Sequence, residues 1–271
     1  MAVSELLERY ERTTFTHDGK TRDVFRRGTG PAVIVMAEMP GITPKVLEFA
    51  DRVVDIGCTA VLPHLFGRPG FDIVAAGRGT ASWYMLSSIG PACVSREFAT
   101  WTSGRTSPCI DWLRALARAE HERCGGPGVG AIGMCFTGGF ALAMATEPAL
   151  LAPVLSQPSM PLGITKRHKA NIDCSRADLD EVKQRCDDEG LTVLGLRFKG
   201  DRFVPPERFQ FLRDELGDGF VAIELEDDSA NPTAVMKPHS VVTEHLIDEP
   251  GQPTRAALDQ VLDLFRERLL S

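Results

Sequence analysis

The sequence predicts an α/β fold, in which a mostly parallel central sheet carries helices on both faces and an antiparallel hairpin precedes it at the N-terminus. Two observations support this prediction. Short apolar runs of strand length alternate along the chain with stretches of helical period, which is typical of parallel sheets covered by helices. Near the start, the pair Asp18-Gly19 separates two strand-like segments at 13–17 and 21–27, and such a pair favours a tight hairpin turn.

The apolar runs give the remaining strands of the predicted sheet. The run at 31–37 is continuously apolar, as expected of a strand that is buried on both faces. Comparable runs follow at 59–65, 129–134, 151–155, 191–198 and 220–225.

The predicted helices lie between these runs. A short polar helix at 1–9 comes first, and residues 44–56 then place apolar side chains at helical spacing before Gly57. Further helical patterns occupy 107–123, 136–146, 176–187, 206–216 and 255–269. The chain of 271 residues suits a single domain over 1–271, because α/β domains of about 250 residues are common.

One segment departs from the alternation of strands and helices. Residues 67–95 are rich in Gly, Ser and Ala, and a connection of this length is either functional or a surface insertion. Ligands of parallel sheets bind beyond the carboxyl ends of the strands. The segment is therefore a candidate wall or lid of a binding site.

Charge and composition narrow the classes of function. Lys and Arg number 30 against 37 Asp and Glu, a net charge of −7, which argues against nucleic-acid or membrane binding and favours a small-molecule partner. No apolar run approaches the about 18 residues of a membrane-spanning helix, and the start of the chain lacks the pattern of a secretory signal. The 7 cysteines form no disulfide pattern, so we expect thiols and a cytoplasmic location.

Residues 133–139, Gly-Met-Cys-Phe-Thr-Gly-Gly, join an apolar strand directly to a predicted helix. A nucleophile elbow needs this context, with small residues on either side of the nucleophile. Cys135 is the candidate nucleophile, and Thr137 replaces the second glycine of the common G-x-S-x-G pattern. The start of the helix would favour a thiolate, and the Phe136 N–H would donate to an oxyanion. The alternative is a buried structural cysteine.

A candidate acid and a candidate base follow later in the chain. Asp201 lies in a loop after the run at 191–198, and His239 lies in the loop Pro-His-Ser before the final helix. Nucleophile, acid, histidine is the chain order of the α/β-hydrolase triad. His245 is a rival base, and we prefer His239 because of its loop position. The alternatives are a turn or N-cap role for Asp201 and an ordinary loop histidine at 239.

At this point the sequence resembles the dienelactone hydrolase family, a branch of the α/β-hydrolases with a Cys-His-Asp triad. The resemblance rests on Ala-Glu-Met-Pro-Gly at 37–41, the elbow at 133–139, Gly-Asp-Arg-Phe-Val-Pro at 200–205 and Pro-His-Ser at 238–240. It implies an α/β-hydrolase fold, with Cys135 as the nucleophile, His239 as the base and Asp201 as the acid that orients it.

The resemblance also implies roles for two residues at 38–39. Glu38 would contact the cysteine in the resting enzyme and take part in activating the thiol, and the Met39 N–H would complete the oxyanion hole with that of Phe136. Family members hold a substrate carboxylate with arginines, one of them shortly after the histidine, but here Ser-Val-Val-Thr follows His239. Four other arginines come close to these motifs in sequence, and no motif selects among them: Arg78, Arg96, Arg105 and Arg202.

These features predict a hydrolase that cleaves a carboxylic ester or lactone, of the enol-lactone type, through a thioester on Cys135. The chemistry needs no cofactor and no metal, and we expect a monomer or homodimer. Two alternatives stay open: a broad carboxylesterase or thioesterase, and a non-catalytic relative that binds a small ligand.

Overall fold

Eight strands build the sheet of this computed structural model, which describes residues 3–72, 98 and 104–271. In chain order they are β1 (Glu11–His17), β2 (Lys20–Arg27), β3 (Ala32–Met36), β4 (Thr59–Pro63), β5 (Val129–Met134), β6 (Leu150–Ser156), β7 (Val193–Phe198) and β8 (Phe220–Leu225).

The strand order across the sheet is β1-β2-β4-β3-β5-β6-β7-β8. The hairpin β1–β2 is antiparallel and joins β4 in an antiparallel pairing, whereas all strands from β4 to β8 run parallel. From β3 the chain first goes to one side, to β4, and later returns to the other side, to β5. Such a reversal opens a crevice at the carboxyl ends of the two strands, so Met36 and Met134 end their strands at the expected ligand site.

The predicted hairpin is confirmed. Asp18 and Gly19 both have positive φ, 47° and 70°, the backbone that a two-residue type I′ turn requires. The register pairs Thr16 with Thr21 across this turn.

The helices are α1 (Val3–Glu8), α2 (Pro44–Asp55), α3 (Cys109–Cys124), α4 (Phe140–Met144), α5 (Lys166–Lys169), α6 (Arg176–Glu189), α7 (Pro206–Leu216) and α8 (Pro253–Leu269). Local chemistry sets the start of α2, where the Thr43 side chain caps the Val46 N–H at 3.4 Å and Pro44 occupies the first turn.

Two apolar clusters lie on opposite faces of the sheet. One contains buried side chains of α3, α4, α6 and α7, for example Leu113 and Phe209. The other contains those of α2 and α8, for example Phe49 and Phe265. Helices on both faces of a mostly parallel sheet were the prediction, and the structure confirms this fold class. A single domain over 1–271 and a monomeric or homodimeric state stay predictions.

The helix predicted at 136–146 is wrong in its extent. Residues Cys135–Thr137 form one 3-10 turn, and the α-helix covers only Phe140–Met144. A Cβ atom on Gly138 would lie 2.4 Å from Cα of Pro158, so the segment after β6 crosses the chain there at close range. Glycine also has a weak helix propensity. The helical period of the sequence contains no information on the close crossing or on this propensity.

The segment predicted as a wall or lid, 67–95, lies outside the described residues from position 73 onward. Among the helices that the structure describes, none is both long and apolar enough to cross a membrane.

Candidate active site

Cys135 occupies a strained turn at the carboxyl end of β5. Its φ is +54°, a conformation that costs energy in any residue other than glycine. The turn also brings two stretches of backbone together, because a Cβ on Gly133 would lie 2.0 Å from the main-chain oxygen of Thr137. Only glycine fits at 133, and the turn therefore has the geometry of a nucleophile elbow.

Thr137, which departs from the common pattern, fills a structural position. Its hydroxyl donates to the main-chain oxygen of Met36 at 2.9 Å and accepts the N–H of Met134 at 2.9 Å. The side chain is fully buried, and glycine would leave both groups without this partner. The hydroxyl thus fixes the elbow to the end of the neighbouring strand β3.

His239 links Cys135 to Asp201. Its Nδ1 lies 2.6 Å from Oδ2 of Asp201, and its ring lies near enough to the Cys135 side chain for the two groups to interact electrostatically. Burial of His239 lowers the pKa of the imidazole, but the charges of Cys135 and Asp201 and the hydrogen bond to Asp201 outweigh burial and hold this pKa well above the ordinary histidine value. The arrangement favours a protonated imidazole beside the sulfur.

The ring of His245 contacts the backbone of the loop that contains His239. Its Nδ1 accepts the N–H of Ser240 at 3.1 Å, and its Nε2 lies 3.1 Å from the main-chain oxygen of Met236. Because burial lowers the pKa of His245, a neutral ring with the proton on Nε2 satisfies both contacts. Both ring nitrogens are occupied, and this geometry favours His239 over His245 as the base.

Glu38 lies at the end of β3 with only 5% of its surface exposed. Its carboxylate accepts hydrogen bonds from Gln157 Nε2 at 3.1 Å, from Ser240 Oγ and from Thr243 Oγ1. Among the described residues, no hydrogen bond joins Glu38 to Cys135. The contact that the resemblance implies for the resting enzyme stays a prediction.

Ser159 is a contact of the sulfur that the sequence did not reveal. Its Oγ lies 3.5 Å from Sγ of Cys135, and its N–H donates to the main-chain oxygen of Cys135 at 2.9 Å. Ser159 follows β6, the next strand of the sheet. Its position after an apolar strand was the available signal, but serines are common in such loops.

Arg208 binds the backbone of the segment that contains Ser159. It is fully buried, and its guanidinium donates five hydrogen bonds, all to main-chain oxygens, namely those of Pro158, Pro161, His168, Asn171 and Phe203. Burial lowers the pKa of Arg208 to about 10. A guanidinium has five N–H groups, so none is left for a substrate.

The two candidate oxyanion donors follow neighbouring strands. Met39 comes shortly after β3 and Phe136 directly after Cys135, and β3 and β5 are paired with Met36 opposite Gly133. The Phe136 ring packs edge-on against the rings of Phe66 and Phe98, at centroid distances of 5.8 Å and 5.2 Å.

The arginines considered from the sequence divide into two groups. Arg78 and Arg96 lie outside the described residues, whereas Arg105 and Arg202 are exposed. Next to Arg202, Phe203 packs its ring edge-on against His239 at 5.5 Å and is 50% exposed. A half-exposed aromatic ring therefore lies beside His239.

Solved structures share this fold. A dienelactone hydrolase from Anabaena variabilis is 15% identical, with a TM-score of 0.53 over 96% of this chain and 99% of the other. A dienelactone hydrolase-like promiscuous phosphotriesterase from metagenomic libraries is 17% identical, with a TM-score of 0.55 over 96% and 98%. The esterase domain of a Rhodothermus marinus protein is 14% identical, with a TM-score of 0.56 over 96% and 99%. No curated protein sequence matches the chain.

A family model gives the more specific assignment. The model of the dienelactone hydrolase family matches residues 23–193, a range that contains Glu38 and Cys135 and ends before Asp201 and His239. The pairing of Asp201 with His239 is thus an observation of geometry, independent of that match. The strained elbow, the strand order and the matched residues together place the chain in the dienelactone hydrolase family, within the α/β-hydrolases.

Proposed function

We propose that the protein hydrolyses a carboxylic ester or lactone through a thioester on Cys135. One observation carries the proposal: the His239 ring is hydrogen-bonded to the buried Asp201 and interacts electrostatically with Cys135, which occupies a strained elbow. A sulfur, an imidazole and a carboxylate in this spatial order are the parts of a nucleophilic catalytic triad.

In the first half of the reaction, the Cys135 thiolate attacks the carbonyl carbon. A carbon–sulfur bond forms, and the carbonyl electron pair moves to oxygen. The N–H groups of Phe136 and Met39 stabilise this oxyanion. The intermediate collapses, the carbon–oxygen bond to the leaving group breaks, and the imidazolium of His239 protonates the departing alcohol or enol.

In the second half, water releases the acyl group. Neutral His239 takes a proton from water while the oxygen attacks the thioester carbonyl, and the same two N–H groups hold the second oxyanion. Collapse breaks the carbon–sulfur bond and gives the carboxylic acid and the Cys135 thiolate. Asp201 keeps the ring oriented and stabilises its positive charge throughout.

The nucleophile favours substrates with good leaving groups. A thiolate is itself easily expelled from a tetrahedral intermediate, so the other group must leave at least as readily. Enols and activated alcohols meet this condition and amines do not, which supports an enol lactone of the dienelactone type or an activated ester. A broad carboxylesterase or thioesterase would use the same residues. A cytoplasmic location stays a prediction from the sequence.

The first test compares two substrates in the wild-type protein and in a Cys135→Ala variant. Hydrolysis of dienelactone is followed by its ultraviolet absorbance, and hydrolysis of p-nitrophenyl acetate by release of p-nitrophenol. We expect turnover of at least one substrate, with a loss of about 1000-fold or more in the variant. Cys186→Ala, which removes a thiol far from the elbow, is the matched control and should keep full activity.

Intact-mass measurement tests the covalent step. A His239→Ala variant mixed with p-nitrophenyl acetate should gain the mass of one acetyl group. An activated ester can still acylate the sulfur in this variant, whereas deacylation needs the base that the variant lacks. The gain should disappear when Cys135 is also replaced by Ala. Turnover that survives Cys135→Ala would contradict the proposed nucleophile, and no turnover of either ester would favour a ligand-binding relative.

A further inference from the structure

Ser159 contacts the sulfur atom that attacks the substrate in the proposed reaction. Its Oγ lies 3.5 Å from Sγ of Cys135 and donates toward it, and hydrogen bonds to sulfur are longer than those to oxygen because sulfur is the larger atom. The serine is buried, with 4% of its surface exposed. A buried hydroxyl at this place faces the charge that the sulfur carries when it is ionised.

The Ser159 hydroxyl has one proton and two acceptors. Besides Sγ of Cys135, the main-chain oxygen of Gln157 lies 3.1 Å from its Oγ. A neutral sulfur is a weak acceptor, so the carbonyl accepts the proton while the sulfur is protonated or acylated. Hydrogen bonds to a charged acceptor are about twice as strong as those between neutral groups. The hydroxyl therefore turns to the sulfur when the sulfur is a thiolate, and only its hydrogen moves.

The segment that contains Ser159 begins at a strained residue. Gln157 has a φ of +37°, which costs energy in a residue other than glycine. Its N–H donates to the main-chain oxygen of Leu196 at 2.7 Å, and its side chain bonds Glu38 at 3.1 Å and the N–H of Val241 at 3.3 Å. Strain persists only where the surroundings impose it, and it concentrates at functional sites.

Further contacts fix Ser159 against the elbow. Its N–H donates to the main-chain oxygen of Cys135 at 2.9 Å. The preceding residue, Pro158, passes so close to Gly138 that a Cβ there would lie 2.4 Å from its Cα. The buried Arg208 donates to the main-chain oxygen of Pro158 at 2.6 Å. Because the main chain is held on both sides of the contact, the hydroxyl is preorganised to face the sulfur.

We propose that Ser159 is a further catalytic residue, whose hydroxyl donates a hydrogen bond to the Cys135 thiolate and so increases the fraction of sulfur that is ready to react. The inference rests on the proposed function and adds a residue to its site. No bond to Ser159 forms or breaks. When the thiolate attacks a carbonyl carbon, the sulfur loses its charge and the hydroxyl returns to the Gln157 oxygen. The hydrogen bond forms again when hydrolysis of the thioester releases the thiolate.

The pH dependence of alkylation tests this hydrogen bond. Iodoacetamide reacts with the thiolate, so the rate of labelling of Cys135, measured by mass spectrometry from about pH 4 to about pH 9, follows the ionised fraction of the sulfur. Ser159→Ala removes the hydroxyl and keeps the N–H that bonds the Cys135 oxygen. We expect the midpoint of the profile to rise by at least about half a pH unit and the rate at the acidic end to fall at least about threefold. The rate at the alkaline end should stay within about twofold of the wild type, because the sulfur is fully ionised there.

Two further variants separate the effect of the hydroxyl from that of packing. Ser159→Thr keeps a hydroxyl at the same position and should return the midpoint to that of the wild type. Thr146→Val is the matched control. It removes a buried hydroxyl that donates to the main-chain oxygen of Ala143 at 3.3 Å, ahead of the amino end of β6, and it should leave the profile unchanged. Circular dichroism checks the folding of each variant.

The possible outcomes separate this inference from the proposed function. An unchanged midpoint in Ser159→Ala, or an equal fall in rate at every pH, would overturn the inference, because lost packing does not change the pH at which the sulfur ionises. A shift that Ser159→Thr does not reverse would overturn the assignment to the hydroxyl. The pH profile of kcat/KM for p-nitrophenyl acetate should shift together with that of alkylation. Ester hydrolysis that survives Cys135→Ala would overturn the proposed nucleophile and the catalytic role of Ser159, whereas a shifted alkylation profile would still show the hydrogen bond.

Discussion

The hydroxyl of Thr137 lies 2.9 Å from the main-chain oxygen of Met36 and joins the elbow of β5 to the end of β3. The same hydroxyl accepts the N–H of Met134 at 2.9 Å. Cys135 follows one of the two strands and Glu38 follows the other, so this side chain ties the turn of Cys135 to the loop that contains Glu38 and Met39.

Replacing Thr137 with Val tests this link. Valine keeps the shape but leaves the Met134 N–H buried without its acceptor, which costs about 1–3 kcal/mol of unfolding free energy. We expect kcat/KM for an activated ester to fall at least about tenfold as the elbow loosens. Urea denaturation and steady-state kinetics measure the two effects. Thr137→Ser keeps the hydroxyl and should stay close to the wild type; a Val variant equal to the wild type in both measurements would contradict the link.

Asp201 controls the charge of His239. Asp201→Asn removes the carboxylate that helps to hold the pKa of His239 above its ordinary value, so less imidazolium is present beside the sulfur. We expect the rate of alkylation of Cys135 by iodoacetamide at pH 6 to fall at least about tenfold, and ester hydrolysis by about 100-fold or more. Mass spectrometry of the labelled peptide gives the first rate.

The control for this experiment is another carboxylate of the same loop region. Asp227→Asn changes a side chain that accepts the N–H of Gly200 at 2.8 Å without contact to the histidine, and alkylation at pH 6 should be unchanged. Equal labelling rates in the wild type and in Asp201→Asn would mean that the carboxylate does not set the protonation of His239.

Much of this architecture could be predicted because it depends on local patterns. Strand β5 and helix α7 were predicted at their observed limits, since apolar runs and helical period reflect burial directly. Cys135, Asp201 and His239 could be selected as candidates because each follows a strand or precedes a helix in a fixed chain order.

The remaining features depend on contacts between distant residues. Glu38 receives its hydrogen bonds from residues 119, 202 and 205 positions away. No local sequence pattern predicts contacts over such separations. In the sequence, Arg208 cannot be distinguished from other helical arginines. The main-chain oxygens that accept its hydrogen bonds surround it only in the folded protein. The same holds for Ser159, whose contact with the sulfur follows from the crossing of the chain at Gly138.

The buried guanidinium of Arg208 predicts a large stability effect. Arg208→Lys keeps the charge but offers three N–H groups in place of five, and it leaves main-chain oxygens around 158–171 unsatisfied. We expect the unfolding free energy to fall by about 3 kcal/mol or more, together with a loss of ester hydrolysis because Ser159 and the Phe203 loop shift. Arg213→Lys, a partly exposed neighbour on α7 paired with Glu224, should cost less than about 1 kcal/mol. Similar losses in both variants would contradict the assignment.

Asp173 makes the stability of the protein depend on pH in a defined direction. Burial raises the pKa of its carboxyl to about 7, although Ser107 donates a hydrogen bond at 2.6 Å and Arg208 lies near. The ordinary value, which applies to the unfolded chain, is 3.8, so between these two values the folded protein keeps a proton that the unfolded protein releases. Folding stability contributed by this residue therefore falls as pH rises from about 4 to about 7, by at most about 4 kcal/mol in total.

An Asp173→Asn variant isolates this contribution, because the amide is neutral at every pH. We expect the variant to be more stable than the wild type at pH 8 but not at pH 4. Urea denaturation at both pH values gives the difference between the two proteins, in which all other ionisable groups cancel. Asp187→Asn, which changes an exposed carboxylate on α6, should show no such dependence. If the wild type and the Asp173→Asn variant differ by the same amount at both pH values, then Asp173 is ionised in the folded protein throughout.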